Sequence, residues 1–476
     1  MKNAILAAAA LTLLFFVPSS AYYETQSEKE FYRVIEAGDF DAAEKLVAAA
    51  SSSGQKRLSA WLALYRGDYP AASGLSSPPL SQKDFLANYS AYMAGLSDGF
   101  LQKESEGFVI RYFADDALLA DFALERLEKI RSTAADIFGY AAPQKVLVEI
   151  YPDKGSFAAA STLGKELLEK SGTVGICKFN RLMILSPRNL ALGYAWLDTL
   201  AHEYSHFVIN RVSKYNCPLW AHEGLSRWTD TLWRSGKPLY LSDYSASRLS
   251  ASAKSGKLIA FDKMSPSLVY LPTKDDISLA FAQAASFVDF IVAEYGDRVI
   301  PEWLAEMRKS DEKKALARVT GSSFAKIERG WRKHIAGFAV PASTGLPDLP
   351  QYEIRSEEEL IPSDLMRHAR LGDEFRRRGN FEAALTQYER AYAADKNPVV
   401  AVKVARAMIL LGRLDEAEGF IRAVSDGNRN YVTPHLVLAE IAALRLDGPS
   451  ARAHYENAFM INPFHPGLYD ALKKNP

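Results

Sequence analysis

The chain has only two cysteines in 476 residues, and neither stands in a Cys-x-x-Cys pair, which excludes a zinc site built on thiolates. It has no excess charge of either sign. With 57 basic residues against 57 acidic ones, no field favours nucleic acid or an anionic membrane surface. Beyond the N-terminus no unbroken apolar run reaches the length needed to span a membrane. Even the densest basic cluster, Arg367, Arg370, Arg376, Arg377 and Arg378, is interrupted by Asp373 and Glu374, and it reads as a solvated helix face. What remains is globular: 48% hydrophobic, and long enough for about two to four domains.

Lys2 precedes an apolar run from Ala4 to Val17, and Pro18-Ser19-Ser20-Ala21 then supplies small residues. This is the pattern of a secretory signal peptide, with cleavage expected near Ala21. Its apolar segment is short for a spanning helix, and no cysteine lies near the cleavage site to carry a lipid. The expectation is an exported protein, periplasmic or extracellular, without a stable membrane span after cleavage. Cys177 and Cys217 then either form a disulfide or stand as two free thiols.

The chain also has only eight histidines, yet two of them fall in His202-Glu203-Tyr204-Ser205-His206. No Pro or Gly interrupts the stretch between Ala195 and Lys214, and apolar residues recur at helical spacing through Leu197, Leu200, Ala201, Tyr204, Phe207 and Val208. On a helix, His202 and His206 share one face a turn apart and can reach one Zn²⁺, with Glu203 beside them as general base. A catalytic zinc takes a third protein ligand. Ile209 and Val212 stand where a metzincin needs Gly and His, so that class is excluded. His222 and Glu223 remain, and because neighbouring helix positions diverge by about 100°, only one of them faces the metal.

The segment Trp220-Ala221-His222-Glu223-Gly224-Leu225-Ser226 resembles the second helix of gluzincin metallopeptidases, in particular the peptidase MA-like group, whose relatives read Trp-x-x-Glu-Gly-Leu-Ala. The resemblance extends over roughly residues 105–340. It implies a thermolysin-like zinc peptidase domain, one Zn²⁺ held by His202, His206 and Glu223, and hydrolysis of peptide bonds with Glu203 as general base. The order of elements fits: strands at Phe108–Phe113 and Lys145–Tyr151 around a helical stretch from Asp115 to Phe138, then a hairpin of Thr173–Phe179 and Leu182–Ser186 turning at Asn180-Arg181. In the family, one hairpin strand is the edge along which an extended peptide lies. Helices are expected downstream at 242–253, 277–295, 299–309, 311–319 and 323–338.

Three features of the site stay open. Phe281-Ala282-Gln283-Ala284 stands where the family often has Tyr-Ala-Gln-Ser, so a ring hydroxyl is missing; Tyr194, Tyr240 and Tyr244 are candidate oxyanion donors. Asp198 and Asp230 are candidates to orient the imidazoles. No Gly-x-Met-Glu-Asn-type signature for capturing a substrate terminus is present, which favours an endopeptidase over an aminopeptidase.

Gly379-Asn380-Phe381-Glu382-Ala383-Ala384 recurs as Gly412-Arg413-Leu414-Asp415-Glu416-Ala417 and, degraded, as Leu446-Asp447-Gly448-Pro449-Ser450-Ala451. The steps from Ala384 to Ala417 to Ala451 are 33 and 34 residues, the tetratricopeptide period. Gly38-Asp39-Phe40 and Gly67-Asp68-Tyr69 resemble the same junction near the N-terminus. The expected fold class is therefore α+β, a gluzincin-type domain flanked by all-α helical repeats. The expected division is a signal peptide at 1–21, a helical-repeat-like region at 22–100, the peptidase domain at 101–340, a linker at 341–363, and a tetratricopeptide region at 364–476 that folds independently. Repeats of this kind present a face to a protein partner or substrate. The alternative is a non-catalytic envelope scaffold that retains the peptidase fold; an intact Glu203 argues against it.

Overall fold

The computed structural model describes residues 26–79, 84–265, 268, 271–339, 345–346, 350 and 352–474. The signal peptide read at 1–21 and most of the Pro- and Gly-rich segment 340–350 lie outside the described residues. The chain is mostly helical with one small mixed sheet, compatible with an α+β fold. It forms two compact units. The first holds the chain up to Ser186 with Asp198–Pro238 and Ile259–Trp331; the second holds Pro187–Leu197, Leu239–Leu258 and the chain from Arg332 onward.

The sheet of the first unit comprises β1 (Leu101–Glu104), β2 (Phe108–Tyr112), β3 (Val146–Tyr151), β4 (Gly175–Lys178) and β5 (Arg181–Leu185), in the order β1-β2-β3-β5-β4. The pairs β2–β3 and β3–β5 are parallel, and the two outer pairs are antiparallel. The central strands are buried on both faces, as parallel strands require. β4 is an edge. Its hairpin to β5 turns at Phe179-Asn180, one residue earlier than the Asn-Arg turn expected, with φ of 50° and 60°. The primed turn needs positive φ at both positions. Phe179 accepts that backbone because its ring is fully buried against Tyr65, Phe85 and Tyr89, so packing overrides the turn preference. β1 and the short helices Lys154–Ser161 and Lys165–Ser171 have no counterpart in the sequence reading; β1 is largely exposed and carries no apolar alternation.

Register assigns the two faces. Phe108, Ile110, Val146, Val148, Leu182 and Cys177 align on one; Arg111, Glu149, Met183 and Ile176 align on the other. The second face also carries Arg181 and is covered by the N-terminal helices. Fully buried Glu149 accepts from the hydroxyls of Tyr69 and, at 2.6 Å, Tyr151. Buried Arg181 lies 3.4 Å from Glu149 and donates to Leu64 O at 3.1 Å and to Tyr89 Oη at 2.9 Å. A buried ion pair is tolerable only when its remaining polar atoms are satisfied, and here helices from the 22–100 region supply those partners. That region therefore belongs to the same compact unit as the sheet and does not stand apart from it.

In the second unit the helices run in packed pairs: Ser363–Arg377 with Phe381–Asp395, Pro398–Leu410 with Leu414–Gly427, and Val432–Leu444 with Gly448–Phe459. Ala384, Ala417 and Ala451 are fully buried at equivalent places, where a small side chain lets helices approach. The turns share one geometry. Gly379 and Gly412 have φ of 75°, and Asn380 and Asp447 cap the following helix through side-chain bonds to the third residue on. Gly38-Asp39 and Gly67-Asp68 repeat it in the first unit, with φ of 78° and 74°. The third pair breaks the pattern, with Leu446 at φ 61° and 92% exposed. A left-handed conformation costs an L-residue roughly 1–2 kcal/mol, and this side chain recovers little by packing. Leu446→Gly should therefore stabilise the protein by about 0.5–1 kcal/mol after the extra unfolded-chain entropy of glycine is deducted. Urea midpoints of the two proteins check this, and an unchanged or lower midpoint would refute it.

The second unit also differs from the expected 364–476 module. Trp196 Nε1 donates to Phe459 O at 3.1 Å, Tyr194 N to Ile461 O at 2.8 Å, and Asn462 Nδ2 to Ala191 O at 3.3 Å. Gly193, at φ 67°, has no room for a β-carbon, which would fall 2.4 Å from Ile461 O. These bonds tie segment 187–197 to the end of the repeat helices.

Candidate metal centre

The helix Trp196–Ser213 places His202, His206 and Asn210 on one face, a turn apart each, and the helix Leu219–Thr229 brings Glu223 to them. His202 Nε2 and His206 Nε2 are 3.0 Å apart; Glu223 Oε2 lies 3.2 Å from the first and 3.4 Å from the second. Ligand atoms of a tetrahedral zinc site with bonds of about 2.0–2.1 Å lie about 3.3 Å from one another, so this triangle has the dimensions of three corners of such a site. Each of the three side chains keeps 14–17% exposure.

The donor chemistry agrees with the dimensions. Burial alone would raise the pKa of Glu223, but the imidazoles of His206 and His202 hold its carboxyl far below the usual carboxylate range. For His206 the balance is similar: burial pulls the pKa down, and the carboxylates of Glu223 and Glu203 outweigh it and raise it. The residues present fit a divalent cation bound by two imidazoles and a carboxylate.

Glu203 lies beside the triangle, its carboxylate within 4.8 Å of the ligand atoms of His202 and His206; it is buried at 5% exposure, and its pKa is raised chiefly by that burial. Its carboxylate accepts from the backbone N–H of Cys177 on the edge strand. The strand can come this close because position 175 is glycine. A β-carbon there would lie 2.6 Å from Thr199 Cγ2 and 2.9 Å from Glu203 Oε1. His222 is not at the triangle. It meets His206 on the opposite ring nitrogen, Nδ1 to Nδ1, and its Nε2 is 2.9 Å from Asn210 Oδ1. Of the two residues left open for the third ligand, only Glu223 joins the Nε2 atoms of His202 and His206.

The chain matches no model of a known protein family. A curated relative, the uncharacterized protein YhcO of Bacillus subtilis (strain 168), is 22% identical over 275 residues, covering 54% of this chain and 80% of that protein. The solved structure of yeast LTA4 hydrolase in complex with bestatin is similar at 13% identity and a TM-score of 0.33, covering 79% of this chain and 67% of that chain. The family is left open.

Several expected roles fall elsewhere. Asp198 and Asp230 are buried, not solvated. Asp198 accepts from Trp233 Nε1 at 3.1 Å and from Arg234 at 2.8 and 2.7 Å, and Asp230 pairs with Arg227 at 3.1 Å. The bonds of Asp198 thus anchor Trp233 and Arg234, not an imidazole. Gln283, in the segment that lacks the tyrosine, bonds both ways to the backbone of Ile259 at 2.9 Å. Tyr194, Tyr240 and Tyr244 belong to the second unit. Cys177 and Cys217 are free thiols; the disulfide alternative does not hold. Sequence reading missed Asn210, Gly175 and Ser226, whose hydroxyl is 3.1 Å from His206 Nδ1. Asn210 continues the His202/His206 face by one more turn, a signal the pattern search stopped short of.

Proposed function

We propose that the chain is a zinc-dependent hydrolase of the gluzincin type that cleaves peptide bonds in exported proteins or peptides, with endopeptidase action favoured. The observation that carries this reading is the triangle of His202 Nε2, His206 Nε2 and Glu223 Oε2, at 3.0–3.4 Å, with the buried carboxylate of Glu203 beside it. Zinc held there supplies Lewis acidity towards water and towards a substrate carbonyl. Glu203 takes a proton onto its carboxylate as water attacks and returns it to the leaving amine. Its raised pKa suits both halves of that task. The edge strand β4 runs past Glu203, and a substrate backbone added along it would pass beside the base without its side chains being read closely.

The 33- and 34-residue helix pairs support a tetratricopeptide-like array that recruits a protein partner or substrate. The Lys2-to-Ala21 pattern supports export, to the periplasm or beyond the cell. The test of the whole reading is the metal content of the purified protein, with a peptide-library digest run with and without chelator. One zinc per chain and chelator-sensitive cleavage support it; a metal-free, inert protein overturns it and favours the scaffold. Glu223→Ala should weaken zinc binding by more than 100-fold, because it removes the anionic corner of the triangle. Zinc titration with a competing chelator reads this directly, and retention of wild-type affinity would mean the ligand is misassigned.

A further inference from the structure

Two imidazoles whose Nδ1 atoms meet must share a single hydrogen. If both nitrogens are bare, two lone pairs face each other; if both are protonated, two N–H groups do. His206 and His222 are in this position. Their rings are 27° from coplanar with centroids 4.6 Å apart and their Nδ1 atoms in hydrogen-bond contact, so they face edge to edge. Which ring carries the hydrogen decides whether His206 offers a bare Nε2 to the triangle or fills it with an N–H.

Asn210 settles the choice. Its Oδ1, an acceptor, is 2.9 Å from His222 Nε2, so that nitrogen carries the proton. His222 is only 4% exposed, and a second proton would make it a buried cation among imidazoles. Its Nδ1 is therefore bare and accepts from His206 Nδ1–H. Ser226 Oγ, at 3.1 Å from the same His206 atom, is placed to accept from it as well. His206 Nε2 is left as a lone pair, and it is the atom 3.0 Å from His202 Nε2 and 3.4 Å from Glu223.

We infer that Asn210 and His222 are positioning residues that fix the tautomer of His206, so that the polarity of one surface-proximal amide determines whether the triangle accepts a metal cation. The inference rests on the proposed zinc site. Metal-binding imidazoles are commonly fixed by such an outer partner, and losing it costs about 10–100-fold in metal affinity. Here the outer partner is a neutral His–Asn relay, and it meets His206 at the ring nitrogen turned away from the triangle.

The experiment measures zinc affinity of the full chain by chelator competition for three proteins. Wild type should bind. Asn210→Leu, of similar size but with no acceptor, should bind about 10–100-fold more weakly. Asn210→Asp, which can only accept, should bind as tightly as wild type or more so. Equal weakening by Leu and Asp, or no weakening by Leu, overturns the inference while leaving the zinc site standing. Absence of zinc binding in wild type overturns the site itself. Should Asn210→Leu fail to fold, ¹⁵N-histidine spectra of the wild-type protein decide alone. A bare Nδ1 and protonated Nε2 on His222 are expected, and the reverse would overturn the relay.

Discussion

Glu203→Gln should abolish measurable peptide hydrolysis and leave one zinc per chain in place. The two halves of this result come from two places in the structure. The candidate ligand triangle comprises His202, His206 and Glu223, and Glu203 contributes no atom to those contacts. Glutamine has the shape of glutamate, so the packing against Gly175 and Thr199 survives, and its carbonyl oxygen can still accept from the Cys177 N–H. It cannot take a proton. A positioned general base contributes about 10²–10⁴ in rate, and here the same group also serves the leaving amine, so the loss should reach the upper part of that range. Turnover of a cleavable peptide together with zinc content of the same preparation tests both halves. Near wild-type turnover would remove Glu203 from the chemistry, and lost zinc would make it a ligand.

Truncation after Ala339 should give a protein that is insoluble or fails to hold zinc. The division expected from the sequence, with a repeat region at 364–476 that folds independently, implies the opposite. Trp196 is the first residue of the helix that carries both candidate histidines, it is fully buried, and its indole N–H donates to Phe459 O. Tyr194 and Ala191 are tied to Ile461 and Asn462 in the same way. Truncation removes all these partners. Re-exposing even half of the 150–250 Å² that a buried tryptophan hides costs about 2–3 kcal/mol at the usual coefficient, a substantial share of a domain's stability of about 5–15 kcal/mol. Soluble yield, thermal unfolding and zinc stoichiometry of the truncated protein measure the effect. A folded, zinc-loaded product would restore the modular reading.

The legible parts of this chain were those encoded by local periodicity. The histidine pair, Glu223 one helix later, the strand–helix–strand order and the repeat junctions all announce themselves through spacing within a few turns, and the structure has helices and strands at those places. What did not show was set by partners distant in sequence. Phe179 takes a turn position that favours Asn or Gly because its ring fills a pocket made by Tyr65, Phe85 and Tyr89. Arg181 and Glu149 look like surface charges in a strand pattern, yet both are fully buried because Tyr69 and Tyr89 from the N-terminal helices complete their bonds. Asp198 resembles a histidine partner from its place one turn before His202, but Arg234, 36 residues on, claims it. Spacing reveals which residues share a face; it does not reveal what the opposite chain brings to them.

Gly175 makes the candidate site depend on an atom that is not there. The clearance between the edge strand and the helix beneath it is that of a single hydrogen, since even a methyl group would overlap Thr199 and Glu203. Any side chain at this position therefore has to displace Thr199 or Glu203. Alanine, the mildest replacement, already requires that shift, and its chemical similarity to glycine does not remove it. A search that ranks positions by the reactivity of their side chains would score this one last, although the distance between strand and base is fixed there.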